Sequence, residues 1–167
     1  RTRQFRTVSF DVRCNEVVLI EQRRLPHAFE FTRTTTYKQT ARAITNMTVR
    51  GAGAIGATAA YGLAQGVRSF SGKTIGAFNR HVERVYQTLA GARPTAVDLV
   101  NAMNGVRASM IKGLTIEAQQ DFALKAAERF ADEDVAHCEA IGQHGVKLIK
   151  NGSSVLTHCN AGWLAFV

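Results

Sequence analysis

Proline is nearly missing from this chain, with two in 167 residues, and no serine-rich or low-complexity run replaces it. A polyproline linker and a disordered chain are both excluded by that composition. No apolar run approaches the roughly 20 residues that a membrane-spanning helix needs. The stretch from Arg1 to Arg6 lacks the apolar core of a signal peptide. The expectation is a cytoplasmic protein with no membrane partner. Cysteine is also scarce: Cys14, Cys138 and Cys159 are odd in number, far apart and without a CxxC pair. That excludes a disulfide framework and a zinc site of the usual spacing, and reduced thiols fit a cytosolic setting. No metal and no cofactor is expected. Aromatic residues make up 8% and do not interleave with the basic ones, so neither a single-strand stacking platform nor a nucleic-acid partner is expected.

What is present is a hydrophobic fraction of 46%, enough for a packed core, and a net charge of +8. Ten of the 21 basic residues fall in the first 50 positions. A basic surface favours anionic ligands, phosphorylated metabolites among them. Most of these arginines are expected to be solvated.

The patterning changes along the chain. Thr7–Val12 alternates, Val17–Ile20 is continuously apolar and Phe29–Thr32 alternates again, with turns at Asn15-Glu16 and Leu25-Pro26-His27. A small antiparallel sheet is the economical reading. Helical spacing follows at Tyr37, Ala41, Ile44 and Met47, then an alanine-rich segment reaches Val67. Gly56 and Gly62 inside it are expected to mark close packing, because glycine weakens a helix by about 1 kcal/mol relative to alanine. Ile75, Phe78, Val82, Val85 and Leu89 mark another helix, ended by Gly91. Pro94 suits a first helical position, and Thr95-x-x-Asp98 resembles a capping box ahead of an apolar face from Ala96 to Met110. A last helix is expected from Thr115, with Phe122, Ala126 and Phe130 on one face and a break near Asp132-Glu133-Asp134, read as a solvated acidic turn. Gly142 and Gly145 suggest a close backbone approach there. Asn151-Gly152 stops it, and Ser153–Leu156 favours a strand. The expected organisation is an α+β N-terminal domain over residues 1–130, a connecting helix over 131–152, and the first strand and loop of a Rossmann-like α/β domain over 153–167.

Two stretches carry candidate chemistry. Glycines at a helix start leave N–H groups that, with the helix dipole, attract phosphate. Arg50-Gly51-Ala52-Gly53 has that form, and Arg50 adds a forked donor; tight helix packing is the plainer use of the same glycines. Arg93, ahead of Pro94, is placed to reach an anion too. In Leu156-Thr157-His158-Cys159-Asn160-Ala161-Gly162 a thiol stands at an expected strand end, where open α/β sheets bind ligands. Cysteine is also among the residues most often simply buried. Strand alternation turns His158 away from Cys159, so the two are not read as a nucleophilic dyad.

Taken together, Arg50–Gly56 with Ala59-Ala60-Tyr61-Gly62, Arg93-Pro94-Thr95-Ala96-Val97, Ile141-Gly142-x-His144-Gly145 and Leu156–Gly162 resemble the methylthioribose-1-phosphate isomerase family. Leu19-Ile20-Glu21-Gln22-x-x-Leu25-Pro26 also fits. The related proteins are the 5-deoxyribose-1-phosphate and ribose-1,5-bisphosphate isomerases and the regulatory subunits of initiation factor 2B. The resemblance implies an aldose–ketose isomerase acting on a phosphorylated pentose, with Arg50, Gly51, Ala52 and Arg93 on the substrate phosphate and Cys159 catalytic. It implies a homodimer, and a catalytic aspartate beyond residue 167, so the chain is expected to be an N-terminal half that is inactive alone. The alternative it allows is a non-catalytic sugar-phosphate-binding regulatory subunit. Gly53 stands where the isomerase motif commonly has proline, and Asp98-Leu99-Val100-Asn101 and Trp163 also depart from the pattern.

Overall fold

The computed structural model describes residues 5–110 and 114–167. A three-stranded antiparallel sheet comes first: β1 (Val8–Asp11), β2 (Glu16–Ile20) and β3 (Phe31–Thr34), in the order β1-β2-β3. Val8 pairs with Leu19, and Val17 with Thr34. Successive strand residues face opposite sides, so Val8, Val17 and Leu19 enter the core together. The third strand lies two residues later than the expected 29–32. Phe29 and Phe31 instead gather with Phe5 at centroid distances of 5.4–5.9 Å on an exposed face.

Five helices follow: α1 (Tyr37–Thr45), α2 (Ala52–Arg68), α3 (Ile75–Ala90), α4 (Val97–Ser109) and α5 (Ile116–Gly145). Thr36, Thr74 and Thr115 cap α1, α3 and α5 by accepting from the backbone N–H three residues on, each satisfying a donor the helix leaves free. The expected capping box before α4 is not formed. Pro94 lies outside the helix, in a turn closed by the Ala96 N–H donating to the Arg93 carbonyl at 3.0 Å. Ala96 is the cap residue and has no side-chain bond to offer. Proline's fixed φ serves the second position of such a turn equally well.

The centre is α2, buried from Gly53 to Val67 and packed against β1, β2 and the four other helices. Its small residues permit this. A Cβ at Gly62 would lie 2.9 Å from Thr40 Cγ2, and one at Gly56 3.0 Å from Phe130, as expected for close packing. A satisfied polar cluster ties α2 to the sheet. Thr40 donates to Gln65 Oε1 at 2.8 Å, and Gln65 Nε2 donates to the carbonyls of Thr34 and Asn15 at 2.7 and 2.9 Å. Phe10 stacks on Tyr61, whose hydroxyl is pushed up to about 12 by burial.

α5 runs unbroken through Asp132-Glu133-Asp134. All three of those acids have partners, Glu133 pairing with Arg129 one turn earlier at 3.9 Å, so the solvated-turn reading is corrected. Asp132 pairs with Arg6 at 2.6 Å, and Asp134 accepts from the Val167 N–H at 2.9 Å. Small residues, Ala123, Ala126, Ala127 and Ala131, form the buried face of α5, while Phe122 is exposed and Phe130 half-buried. Beyond Cys138 the helix is largely exposed, and a Cβ at Gly142 or Gly145 would meet nothing, so the expected backbone approach there is absent. The expected strand over 153–156 is not formed either. Those residues are exposed and pair with no neighbour, and a strand of a parallel sheet needs neighbours on its edges and cover on its faces. After them the chain returns to the fold at a short 3-10 turn, Trp163–Ala165. Among the described residues no helix is long and apolar enough to cross a membrane.

Candidate active site

The loop from α1 to α2 is built around its own polar groups. Asn46 Oδ1 accepts from the Thr48 N–H at 3.1 Å and from its hydroxyl at 2.9 Å, a local turn that Asn favours. The Gln22 N–H donates to the Thr48 carbonyl at 3.0 Å, and Val49 is fully buried. With 48 and 49 anchored, Arg50 is delivered to the surface at the head of α2. Gly51 follows at φ 109°, a conformation that side chains rarely tolerate. Space excludes a side chain as well: a Cβ there would collide with Ala165 Cα and lie 2.6 Å from the Ala165 carbonyl oxygen.

The segment after Cys159 therefore lies directly on the phosphate-loop candidate. Asn160 Nδ2 donates to the Arg50 carbonyl at 3.2 Å. Gln22 Nε2 donates to the Leu164 carbonyl at 2.8 Å and to the Arg50 carbonyl at 3.4 Å. Trp163 Nε1 donates to the Phe5 carbonyl at 2.9 Å, and the Thr7 hydroxyl to the Trp163 carbonyl at 3.3 Å. Residues more than 100 positions apart are held together by backbone carbonyls and amide side chains.

The structure thus brings Arg50, Gly51 and Ala52 beside the loop that carries Cys159. Arg50 and Ala52 are exposed and Gly51 is partly so. Cys159 is exposed at φ 62°, in a bend rather than at the end of a strand. Arg93 is half-buried in its turn, which the Thr45 hydroxyl ties to the end of α1 through the Ala92 carbonyl at 3.1 Å. No hydrogen bond or ion pair joins Arg93 to the Arg50 cluster among the described residues. Neither arginine pairs with a carboxylate among them, whereas Arg23 and Arg33 are bound to Glu21, and to Asp11 and Glu16.

One side of the α2 head is acidic. A Cβ at Gly53 would lie 2.5 Å from Asp134 Oδ1 and 2.7 Å from Phe166 Cδ1. Burial pushes the Asp134 carboxyl above the usual range, the nearby Asp98 charge adds to it, and the Val167 N–H opposes it. Glycine at position 53 leaves the room that Asp134 and Phe166 occupy.

Three residues of the site carried no role in the sequence reading. Gln22 and Asn160 sat inside stretches that fit the resemblance, but nothing local showed that their amides meet at one carbonyl. Asp134 looked like surface charge. Elsewhere, Asp11, Cys14 and Glu16 lie within mutual reach on the β1–β2 hairpin, yet Arg33 pairs with both carboxylates at 3.3 and 3.1 Å, which makes the cluster an ion-pair network. Cys138 is half-buried with its thiol raised by burial.

Residues 48–167, which contain Arg50, Arg93 and Cys159, match the model of the initiation factor 2 subunit family. The chain belongs to that family. A methylthioribose-1-phosphate isomerase of Thermosipho africanus is 41% identical over 164 residues, 98% of this chain and 47% of that relative. Among solved structures, 5-methylthioribose 1-phosphate isomerase from Pyrococcus horikoshii OT3 superimposes with a TM-score of 0.92 at 37% identity, covering 99% of this chain and 46% of that one. The delta subunit of translation initiation factor eIF-2B from A. fulgidus gives 0.86 at 34% identity, covering 98% and 47%. The chain spans about half the length of the relatives it matches. The family match begins at residue 48, but the likeness to the isomerases takes in Gln22 as well.

Proposed function

We propose that this chain is the phosphate-holding and thiol-bearing half of an aldose–ketose isomerase acting on methylthioribose 1-phosphate. The observation that carries this reading is the contact between Asn160 and the Arg50 carbonyl, which sets the Cys159 loop against the arginine loop. The names of the isomerase relatives supply the substrate; 5-deoxyribose 1-phosphate, differing only at the 5-substituent, is the nearest substitute.

Arg50 with the Gly51 and Ala52 amides would hold the phosphate, and Arg93 would join them on its far side. Fixing the phosphate fixes C1 and C2, which is catalysis by positioning. In the net reaction the ring oxygen gains a proton, the C2 hydroxyl becomes a carbonyl, and hydrogen moves from C2 to C1. Cys159, exposed and one residue from Asn160, is assigned the role of proton carrier or charge stabiliser at those carbons. The acid for the ring oxygen is assigned to the part of the relatives' length that this chain does not span. In the same reading 153–156 form the first strand of a Rossmann-like sheet once neighbours are present; the 69% and 97% exposure of Val155 and Leu156 supports it.

The test is a sugar-phosphate isomerase assay on the full-length protein. Cys159→Ser is expected to cut kcat by at least about 100-fold, the usual scale for a proton-transferring side chain, with substrate-analogue affinity retained. Arg50→Ala is expected to raise KM or the analogue Kd by about tenfold or more. Near-normal turnover with serine at 159 removes the thiol from the mechanism. The likeness to the initiation-factor subunit favours a second reading, a sugar-phosphate-binding regulatory subunit. Tight binding of the sugar phosphate with no turnover decides for it.

A further inference from the structure

We infer that Gln22 is a positioning residue for the phosphate site, acting by aiming the Gly51 N–H; this rests on the phosphate role proposed for Arg50–Ala52. Gln22 is 3% exposed and follows β2 after Glu21, in the 3-10 turn Gln22–Arg24. Its side-chain amide has two N–H donors. One goes to the Leu164 carbonyl at 2.8 Å and the other to the Arg50 carbonyl at 3.4 Å. Its backbone N–H holds the Thr48 carbonyl two residues before Arg50. The Arg50 carbonyl receives a second amide from Asn160 at 3.2 Å.

The Arg50 carbonyl and the Gly51 N–H belong to one planar peptide unit and point in opposite directions across it. Fixing the carbonyl from Gln22 and Asn160 turns the Gly51 N–H away from both. Gly51 has no side chain and sits at φ 109°, so it contributes little of its own to hold that plane. The two amides replace that missing restraint. Through Leu164, Gln22 also fixes the chain five residues beyond Cys159. One buried side chain thereby registers the anion-binding peptide against the thiol loop. A leucine at 22 would fill similar space and donate nothing. Both carbonyls would lose a partner, and the Arg50–Gly51 peptide would be held from this side by Asn160 alone.

Inorganic phosphate is titrated into the protein and into its Gln22→Leu, Asn160→Ala and Arg50→Ala variants. The Gly51 amide resonance and the Kd are read together, and helix content is checked by circular dichroism. Trp163, the one tryptophan of the sequence, reports by its emission whether the 160–167 segment stays seated. Phosphate is expected to shift the Gly51 resonance in the native protein. In Gln22→Leu that shift should collapse and Kd rise about tenfold, the scale of losing one or two hydrogen bonds, with a smaller rise in Asn160→Ala. If Gln22→Leu does not fold, Gln22→Met, which keeps the length of the side chain and removes both of its N–H donors, decides the matter in its place. Unchanged Gly51 response and Kd in the folded variants, with binding lost in Arg50→Ala, overturn the role of Gln22 and leave the phosphate site standing. No response at Gly51 in the native protein, and no effect of Arg50→Ala, overturn the phosphate site itself and this inference with it.

Discussion

At the scale of single residues, Asp134 has the most measurable consequence. Its carboxyl is raised by burial and by Asp98, so the folded protein holds this proton to a higher pH than the unfolded chain does. Between the two pKa values the native state binds more protons, and stability falls as pH rises through that window. Asp134→Asn keeps an oxygen for the Val167 N–H and removes the charge. The melting temperature of the variant minus that of the native protein is expected to grow as pH rises from the acid side through the carboxylate range, then level off. A constant difference across that range would show that the carboxyl titrates as in the unfolded chain. Glu21 runs the other way. Its hydrogen bonds from Arg23 hold it below the ordinary value, so its contribution is present at neutral pH and lost as pH falls.

At the scale of elements, the glycines of α2 and α5 separate two uses of the same residue. A Cβ at Gly66 would collide with Val85 Cγ1 and lie 2.8 Å from Cγ2. Alanine gains about 1 kcal/mol in helix propensity, while overpacking costs about 1–3 kcal/mol, so Gly66→Ala is expected to destabilise by up to about 2 kcal/mol. Val85→Ala in the same chain should recover part of it, a coupling visible in a double-mutant cycle by denaturant unfolding. Gly142 has open space around it, and Gly142→Ala is expected to stabilise α5 by up to about 1 kcal/mol. Equal effects at the two positions would show that α2 and α3 are not in the contact described. Proline shows the same ambiguity between elements. Pro94 has the sequence context of a helix start and serves a turn, because its φ suits both.

At the scale of the whole molecule, stability is unevenly spread. The first half of α5 buries Ala123, Ala126, Ala127 and Ala131 against α2 and α4, while positions 136–145 are almost all exposed. Local opening is easiest where few buried contacts resist it. Amide hydrogen exchange is therefore expected to be at least about tenfold faster over 137–145 than over 119–131. Comparable protection along the whole helix would require a packing partner for its second half.

The sequence by itself determined the elements and their order, because hydrophobic spacing at period two or near 3.6 is a local property: three strands, then helices with Phe78, Val82, Val85 and Leu89 on one inner face. It also marked Arg50, Gly51 and Cys159, since the residue types that chemistry needs are visible wherever they sit. Tertiary structure decided what those residues face. Ala165 on Gly51, Gln22 and Asn160 on one carbonyl, and Asp134 beside Gly53 are contacts between residues 28 to 114 positions apart, and no local pattern encodes them. The strand expected over 153–156 shows the same limit from the other side. Its residues favour extension, but a strand exists only when another chain segment accepts and donates its hydrogen bonds.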